Sequence, residues 1–338
     1  MMFWSLVPAA GLVAFLLTAL ALRYAVVNQM LDIPNDRSSH SSPTPRGGGI
    51  AIVIAFIFGL SLLYFSDVFN GWLVFGTLVA GASIAVTGFI DDHKDLSAKW
   101  RLLVHFIAAA FALYSLDGGL QQIVFLGHNI SSGWIVQILT LIYLVWLLNL
   151  FNFMDGIDGI ASIEAVSVSL GGGILLILLG SPEAAILPFI LCGAAFGFLL
   201  WNFPPAKIFM GDVGSGFLGF IIGVLSLHAA QLYPVLLWSW IILLGVFIVD
   251  ATFTLIKRML KGENVSKPHR NHAYQRAARL YRSHKIVSVA VGVINLFWLF
   301  PWAVIVAMDY IDGALAVVIA YIPLIITVLK FDALENVD

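Results

Sequence analysis

The chain is short of charge and nearly free of cysteine. Only 11% of its 338 residues are Asp, Glu, Lys or Arg, while 61% are hydrophobic and the mean hydropathy is +0.99. A soluble domain carries roughly 25% charged residues, so that class is excluded. One cysteine, Cys192, rules out a disulfide framework, and its place inside an apolar run reads as a small core residue. Internal repeats and low-complexity segments are also missing. So are the short alternating segments of a membrane β-barrel.

What is present is a series of long apolar runs. A helix needs about 20 residues to cross a bilayer core. Eleven runs qualify, at about 3–22, 49–66, 71–90, 102–116, 134–150, 160–180, 184–201, 216–232, 234–256, 286–308 and 313–330. The expected fold is all-α, a polytopic membrane helix bundle forming one domain over 1–338.

The missing charges are distributed unevenly. With eleven spans, one set of loops covers about 23–48, 91–101, 151–159, 202–215, 257–285 and the C-terminal tail. All 17 Lys and Arg fall in or at the edges of that set. The other loops contain none, although they hold Asp67, Asp117, Glu183, Asp309 and Asp312. By the positive-inside rule the basic set is cytoplasmic, which leaves the N-terminus outside and the C-terminus inside. Ala19, Leu20 and Ala21 look like a small-residue cleavage site, but no basic residue precedes the first run and cleavage would reverse the sidedness. That run is expected to be a retained helix.

Five cytoplasmic segments carry unusual residues. "DIPNDRSSHSSPTPRGGG" (32–49) has prolines and glycines that suit a loop folding over something. "GFIDDHKDLSAKWR" (88–101) places Asp91 and Asp92 at a membrane boundary. A carboxylate costs roughly 2.5–3.5 kcal/mol at the bilayer centre and less towards the interface, and adjacent ones mark a cation or proton-transfer site.

"NLFNFMDGIDG" (149–159) follows an apolar helix with Asn149, Asn152, Asp155 and Asp158 at steps of three. Asn149 and Asn152 share a helix face while the two aspartates drift round it. Oxygen ligands of this kind suit Mg²⁺, which typically takes one or two carboxylates plus substrate phosphates. The helix starting near Ile160 offers N-terminal amides to an anion. "WNFPPAKIFMGDVGSG" (201–216) puts Asp212 in a glycine-rich turn that can nest phosphate oxygens.

The fifth segment, 257–285, is a strongly basic loop that leans on anionic lipid headgroups. Within it His269, Arg270 and His272 form a tight set of phosphate-type donors. His105, His128 and His228 show no partner, and neither does Asp250 in the ninth run.

The segments at 88–101, 149–159 and 202–215 closely resemble signature segments of the polyprenyl-phosphate N-acetylhexosamine-1-phosphate transferases. The likeness extends from about residue 30 to 285. These enzymes join a sugar phosphate from a UDP-sugar to a polyprenyl phosphate in the membrane and release UMP. The related phospho-N-acetylmuramoyl-pentapeptide translocases carry a lysine where this chain has Asp95. Here "DLSAK" running to Lys99 is similar instead to the sugar-1-phosphate branch, and "NFMDGIDGIASIEA" looks most like enzymes that begin O-antigen synthesis.

The resemblance implies Mg²⁺ as cofactor, with Mn²⁺ as an alternative, on Asn152 and Asp212. It implies that Asp91 and Asp92 orient or deprotonate the lipid phosphate. Asp155, Asp158 and Asn202 would line the nucleotide-sugar site, with His269, Arg270 and His272 contacting the diphosphate or sugar. Lys94, Lys207 and Asn149 have weaker claims, Asn149 as a brace.

The implied partners are a UDP-N-acetylhexosamine, undecaprenyl phosphate and membrane lipid, with no nucleic acid and with a homodimer left open. The implied location is the bacterial inner membrane, with the active site on the cytoplasmic face. A translocase of peptidoglycan synthesis is the near alternative. An ion-coupled transporter is the alternative from another class; it requires inverted repeats and polar sites at the midplane.

Overall fold

The computed structural model describes residues 2–34, 43–65, 69–94, 96–131, 133–263 and 270–334. Every apolar run expected from the sequence is helical. The helices are α1 (Leu6–Val27), α2 (Ile50–Tyr64), α3 (Gly71–Lys94), α4 (Ala98–Ser115), α5 (Gly133–Met154), α6 (Ile160–Leu178), α7 (Pro182–Asn202), α8 (Asp212–Leu232), α9 (Leu236–Leu243), α10 (Gly245–Leu260), α11 (Ala273–Tyr281), α12 (His284–Ile294), α13 (Phe300–Ala307) and α14 (Gly313–Leu334). Two short antiparallel pairings complete the described structure: β1 (Leu31–Asp32) with β2 (Thr44–Pro45), and β3 (Ile123–Phe125) with β4 (His128–Ile130).

Among the described residues eight helices are long and apolar enough to cross a membrane, or nine if α9 and α10 count as one span. The chain is therefore a polytopic helical membrane protein. The two remaining runs also form helices. However, α2 has only 15 residues, and α4 opens with Lys99 and Arg101 in its first turns.

Helix α8 is the axis of the bundle, with 94% of its most apolar window buried, against 17% for the first helix. Glycines let its neighbours approach. A Cβ at Gly219 would lie 2.4 Å from the Leu147 carbonyl oxygen of α5, so only a residue without a side chain fits there. Close backbone approach at small residues is the usual way membrane helices gain van der Waals contact.

The run expected at 234–256 is not one straight helix. It bends by 72° between α9 and α10. At the break, Gly245 has no side chain to meet the Tyr321 ring, which a Cβ would touch at 2.9 Å. The Tyr321 hydroxyl donates to the Ile241 carbonyl at 2.5 Å, satisfying an acceptor near the end of α9.

The run at 286–308 also changes pitch, with a π-helical turn at Asn295–Leu299 between α12 and α13. Pro301 follows immediately, and its ring and missing N–H disturb the ladder just upstream.

Three motif boundaries differ from the sequence reading. Asp91 and Asp92 lie within α3, Asn152 lies in the last turn of α5, and Asp212 is the first residue of α8. The basic segment 257–285, expected as a loop, contains α11. The first six residues of that helix, Ala273 to Ala278, are all buried, Gln275 and Arg276 included, while Leu280 is exposed.

The proline- and glycine-rich segment does fold over a neighbour. Phe209 N donates to the Pro45 carbonyl, and Gly48 and Gly49 donate to the carbonyls of Phe209 and Met210. Residues 35–42, which carry its serines and His40, lie outside the described residues.

Candidate active site at the converging helix ends

Four helix ends meet: the C-terminal ends of α3 and α5, and the N-terminal ends of α4 and α8. Gly88 makes the α3–α8 approach feasible, since a Cβ there would sit 2.5 Å from the Asp212 carbonyl oxygen. A small cleft opens between them. Its lining includes Asp91, Arg101, Asn149, Asn152 and Asp212.

Asp92 is 7% exposed and faces the start of α8. Its two carboxylate oxygens accept from Asp212 N at 3.2 Å and Val213 N at 3.3 Å. It thus caps two first-turn amides of α8, where a negative charge is favoured by the helix dipole. Gly211, at φ +76°, brings its backbone against this carboxylate, and a side chain there would meet Asp92 Oδ2 at 2.7 Å. The amides of this turn, expected as a nest for phosphate, are therefore occupied by Asp92.

Asp91 points the other way. Its Oδ1 accepts from Leu96 N at 2.6 Å and its Oδ2 is ion-paired with Arg101. The same Arg101 nitrogen lies 3.4 Å from Asp212 Oδ2. Arg46, from the proline- and glycine-rich segment, donates to the Asp92 backbone carbonyl. Neither arginine stood out in the sequence. The available signal was a basic residue closing each motif, in "PTPRGGG" and "SAKWR".

Asn152 and Asp212 line the same cleft, which brings together the two expected metal ligands. Asp155 follows on the turn after α5. Burial, and then the charges of Asp212, Asp92 and Asp158, push its carboxyl up to about 8. Asn149 donates to the Val145 carbonyl at 2.7 Å and lines the cleft, as a brace would.

The donor set can be compared with the implied Mg²⁺. Among the described residues no group of three or more His, Cys, Asp or Glu is arranged to hold a metal. A pair such as Asp212 with the amide oxygen of Asn152, beside Asp155, fits the sparse protein ligation Mg²⁺ takes when waters and phosphates supply the rest.

Other expected site residues serve as braces in this structure. Asn202 is 3% exposed; its Oδ1 accepts from Gly159 N and Ser162 Oγ, and its Nδ2 donates to the Ile208 carbonyl. The amide of Gly159, the residue before α6, is thereby taken, and the first helical amide, Ile160 N, donates to the Ile157 carbonyl. Asp158 Oδ2 accepts from Ala206 N at 3.0 Å, and its Oδ1 lies 3.2 Å from His284 Nδ1. Lys207 sits over the Trp201 ring at 5.0 Å. Lys94 ends α3 and is exposed.

His272 is 3% exposed and its Nδ1 lies 3.1 Å from Asp250 Oδ1. This is the partner of Asp250 that the sequence did not reveal. Arg270 is exposed and its carbonyl accepts from Arg279. His269 and Asp95 lie outside the described residues.

The fold and this cluster define a helical membrane protein with a carboxylate–amide site at converging helix ends, chemistry suited to a cation and phosphates. Residues 74–230, which hold most of the cluster, match the model of glycosyl transferase family 4. The chain is 31% identical over 299 residues to a probable undecaprenyl-phosphate N-acetylglucosaminyl 1-phosphate transferase of Bacillus subtilis, a match spanning 85% of this chain and 80% of the relative. It is 28% identical over 353 residues to a decaprenyl-phosphate N-acetylglucosaminephosphotransferase of Mycolicibacterium smegmatis, spanning 90% and 84%. A phospho-N-acetylmuramoyl-pentapeptide-transferase of Streptococcus equi is 28% identical over 271 residues, spanning 73% and 79%. The chain belongs to glycosyl transferase family 4, among the polyprenyl-phosphate N-acetylhexosamine-1-phosphate transferases.

Proposed function

We propose that the protein transfers an N-acetylhexosamine-1-phosphate from a UDP-sugar to undecaprenyl phosphate. The products are UMP and a lipid-diphosphate-sugar, and the step begins O-antigen or a related cell-envelope glycan. The observation that carries the reading is the convergence of Asp91, Asn152 and Asp212 on one cleft, with the charges of Asp92 and Asp155 close beside it, in a chain of this family. The sugar and lipid are supported by relatives named for N-acetylglucosamine and for undecaprenyl or decaprenyl phosphate. The pathway is supported by the resemblance of residues 152–165 to O-antigen enzymes. The uneven basic charge supports eleven spans and a cytoplasmic site in a bacterial inner membrane.

In this mechanism an oxygen of the lipid phosphate attacks the sugar-bearing phosphorus. The bond from that phosphorus to the oxygen bridging to UMP breaks, and UMP leaves with the electron pair. A phosphate monoester has its second pKa near 6, so the attacking group is mostly a dianion at neutral pH and needs no strong base. Both Asp92 oxygens are engaged by α8 amides, which disfavours Asp92 as a nucleophile forming a phosphoaspartate. Asp91 and Arg101 hold the cleft wall, with Arg101 as a ready cation for phosphate oxygens. Mg²⁺ held by Asn152 and Asp212 would neutralise charge on the diphosphate and the departing UMP. Asp155 and Asp158 follow on the nucleotide-sugar side. The apolar tail would stay in the bilayer along the helices.

Purified protein, undecaprenyl phosphate and sugar-labelled UDP-N-acetylglucosamine or UDP-N-acetylgalactosamine test the reading. Label should enter lipid with either or both donors, and Asp212→Asn should slow transfer at least a hundredfold. Absence of labelled lipid with every UDP-N-acetyl sugar would sink it.

A further inference from the structure

Asp250 is a buried carboxylate in α10 that the proposed chemistry does not use, yet it gathers four donors from two helices. Its Oδ1 meets His272 Nδ1 at 3.1 Å, Ala273 N at 3.0 Å and Thr254 Oγ1 at 3.2 Å, and its Oδ2 accepts from Tyr274 N at 2.9 Å. Ala273 and Tyr274 open α11, so a carboxylate from a membrane helix caps the N-terminus of a cytoplasmic one. The His272 and Tyr274 rings lie nearly parallel, with centroids 5.6 Å apart, which fixes the direction of the Tyr274 side chain.

That side chain reaches the active-site turn. Tyr274 is 4% exposed, and its hydroxyl donates to the Phe153 carbonyl at 3.1 Å and packs against Gly156. Phe153 immediately follows Asn152, and Gly156 immediately follows Asp155. The Phe153 carbonyl is in the last turn of α5, where intrahelical partners run out, so the tyrosine supplies one that the helix lacks. The fit is close, because a Cβ on Gly156 would come within 2.2 Å of the hydroxyl. Burial, then the charges of Asp250 and Asp155, push the Tyr274 phenol above its usual range, so it remains an O–H donor.

We propose that Tyr274 is a positioning residue that sets the spacing of Asn152 and Asp155 by clamping the backbone between them, and that Asp250 mounts it. The inference rests on the function proposed above. It also gives the histidine-containing segment a mechanical role: His272 holds the mount rather than reaching the diphosphate. Second-layer hydrogen bonds of this kind orient metal ligands without touching the metal.

The test uses full-length protein in detergent, with Mn²⁺ alone as the probe, read by electron paramagnetic resonance, alongside steady-state transfer kinetics and thermal melting. Tyr274→Phe removes one oxygen and keeps the ring. It should weaken Mn²⁺ binding about tenfold, within the range for loss of such a partner. The kcat should fall with it, while the KM for polyprenyl phosphate stays constant and the melting temperature changes little. Asp250→Asn should act through the same clamp, so the double variant should be no worse than the weaker-binding single.

Wild-type Mn²⁺ affinity in Tyr274→Phe, or independent multiplication of the two effects, would overturn the proposal. If Asp250→Asn does not fold, the Tyr274→Phe affinity and its kcat-against-KM pattern decide alone. A wild type that binds Mn²⁺ but transfers no sugar phosphate sinks the proposed function and leaves the clamp standing. A wild type that binds no Mn²⁺ overturns the clamp.

Discussion

Arg101 lies between Asp91 and Asp212, ion-paired with the first and 3.4 Å from a carboxylate oxygen of the second. A guanidinium thus stands where the Asp212 carboxylate is exposed to the cleft. Any divalent cation on Asp212 shares its charge with Arg101.

Arg101→Ala should therefore tighten Mn²⁺ binding while slowing transfer. The gain should be roughly fivefold, matching the ~1 kcal/mol of a partly exposed ion pair. Turnover should fall because Asp91 and the diphosphate both lose a cation. Weaker Mn²⁺ binding in the variant would show that Arg101 supports the metal side rather than competing with it.

Asp92 carries a structural load that Asp212 does not. Asp92→Ala leaves two first-turn amides of α8 without their acceptor and should cost about 1–3 kcal/mol of stability. Asp92→Asn keeps one acceptor oxygen and should melt closer to wild type. Equal melting temperatures for the alanine variant and the wild type would contradict the cap, and radiolabel trapped on Asp92 of the wild type after lipid removal would show a phosphoaspartate instead of direct attack.

The turn after α5 should make ligand-free stability depend on pH. The Asp155 carboxyl is raised to about 8 by burial and by Asp212, Asp92 and Asp158, so the folded state binds its proton more tightly than the unfolded state. That contribution is fully present below the unfolded value near 4 and is lost as pH rises through about 8. Without divalent cations, Asp155→Asn should gain stability relative to wild type over that window. Parallel melting curves at pH 6 and pH 8.5 would refute the assignment.

Within the bundle, Glu164 and Asn295 are both buried, and Asn295 Nδ2 donates to Glu164 Oε2 at 2.6 Å. Among the described residues Glu164 Oε1 and Asn295 Oδ1 lack a partner. Glu164→Gln replaces one of those oxygens with a donor and should fold as well as wild type or better. Glu164→Ala leaves a cavity and unpaired Asn295 groups, at a cost of about 1–3 kcal/mol. Thermal melting in detergent would compare them, and a glutamine variant as unstable as the alanine variant would show that the carboxylate itself is required.

Sidedness can be read by cysteine labelling, because Cys192 is the only cysteine to remove. In a Cys192→Ala background, Tyr310→Cys should react with a membrane-impermeant maleimide in spheroplasts, and Lys94→Cys only after lysis. Both positions are exposed in the fold. The opposite pattern would invert the assigned orientation.

Much of the site was legible because its residues are costly in a membrane. Asp91, Asp92, Asn152, Asp155 and Asp212 stand out against apolar runs, and charge asymmetry puts them on one side. The hidden parts look ordinary in sequence. Arg46 and Arg101 resemble the basic residues any cytoplasmic loop carries, and Tyr274 resembles any aromatic residue in a helical turn. The break at Leu244 was equally invisible, since Tyr321, 80 residues after Ile241, is what satisfies the carbonyl there.

Composition and patterning were enough to assign the solvent and the element type, and to point to a chemistry. Long apolar runs demand a bilayer, helices satisfy the backbone there, and oxygen-rich motifs call for cations and phosphates. Which partner each polar group takes was settled by how the helices pack. Asp92 finds its amides 120 residues away at Asp212, and Asp250 finds His272 across 22 residues that include a turn of the chain. Local periodicity reports which face of a helix is apolar, but pairings between helix ends depend on where whole helices pack. In this bundle the packing makes Asp92 a cap for α8 and Asp250 the mount of Tyr274, and leaves Asp212 facing the cleft.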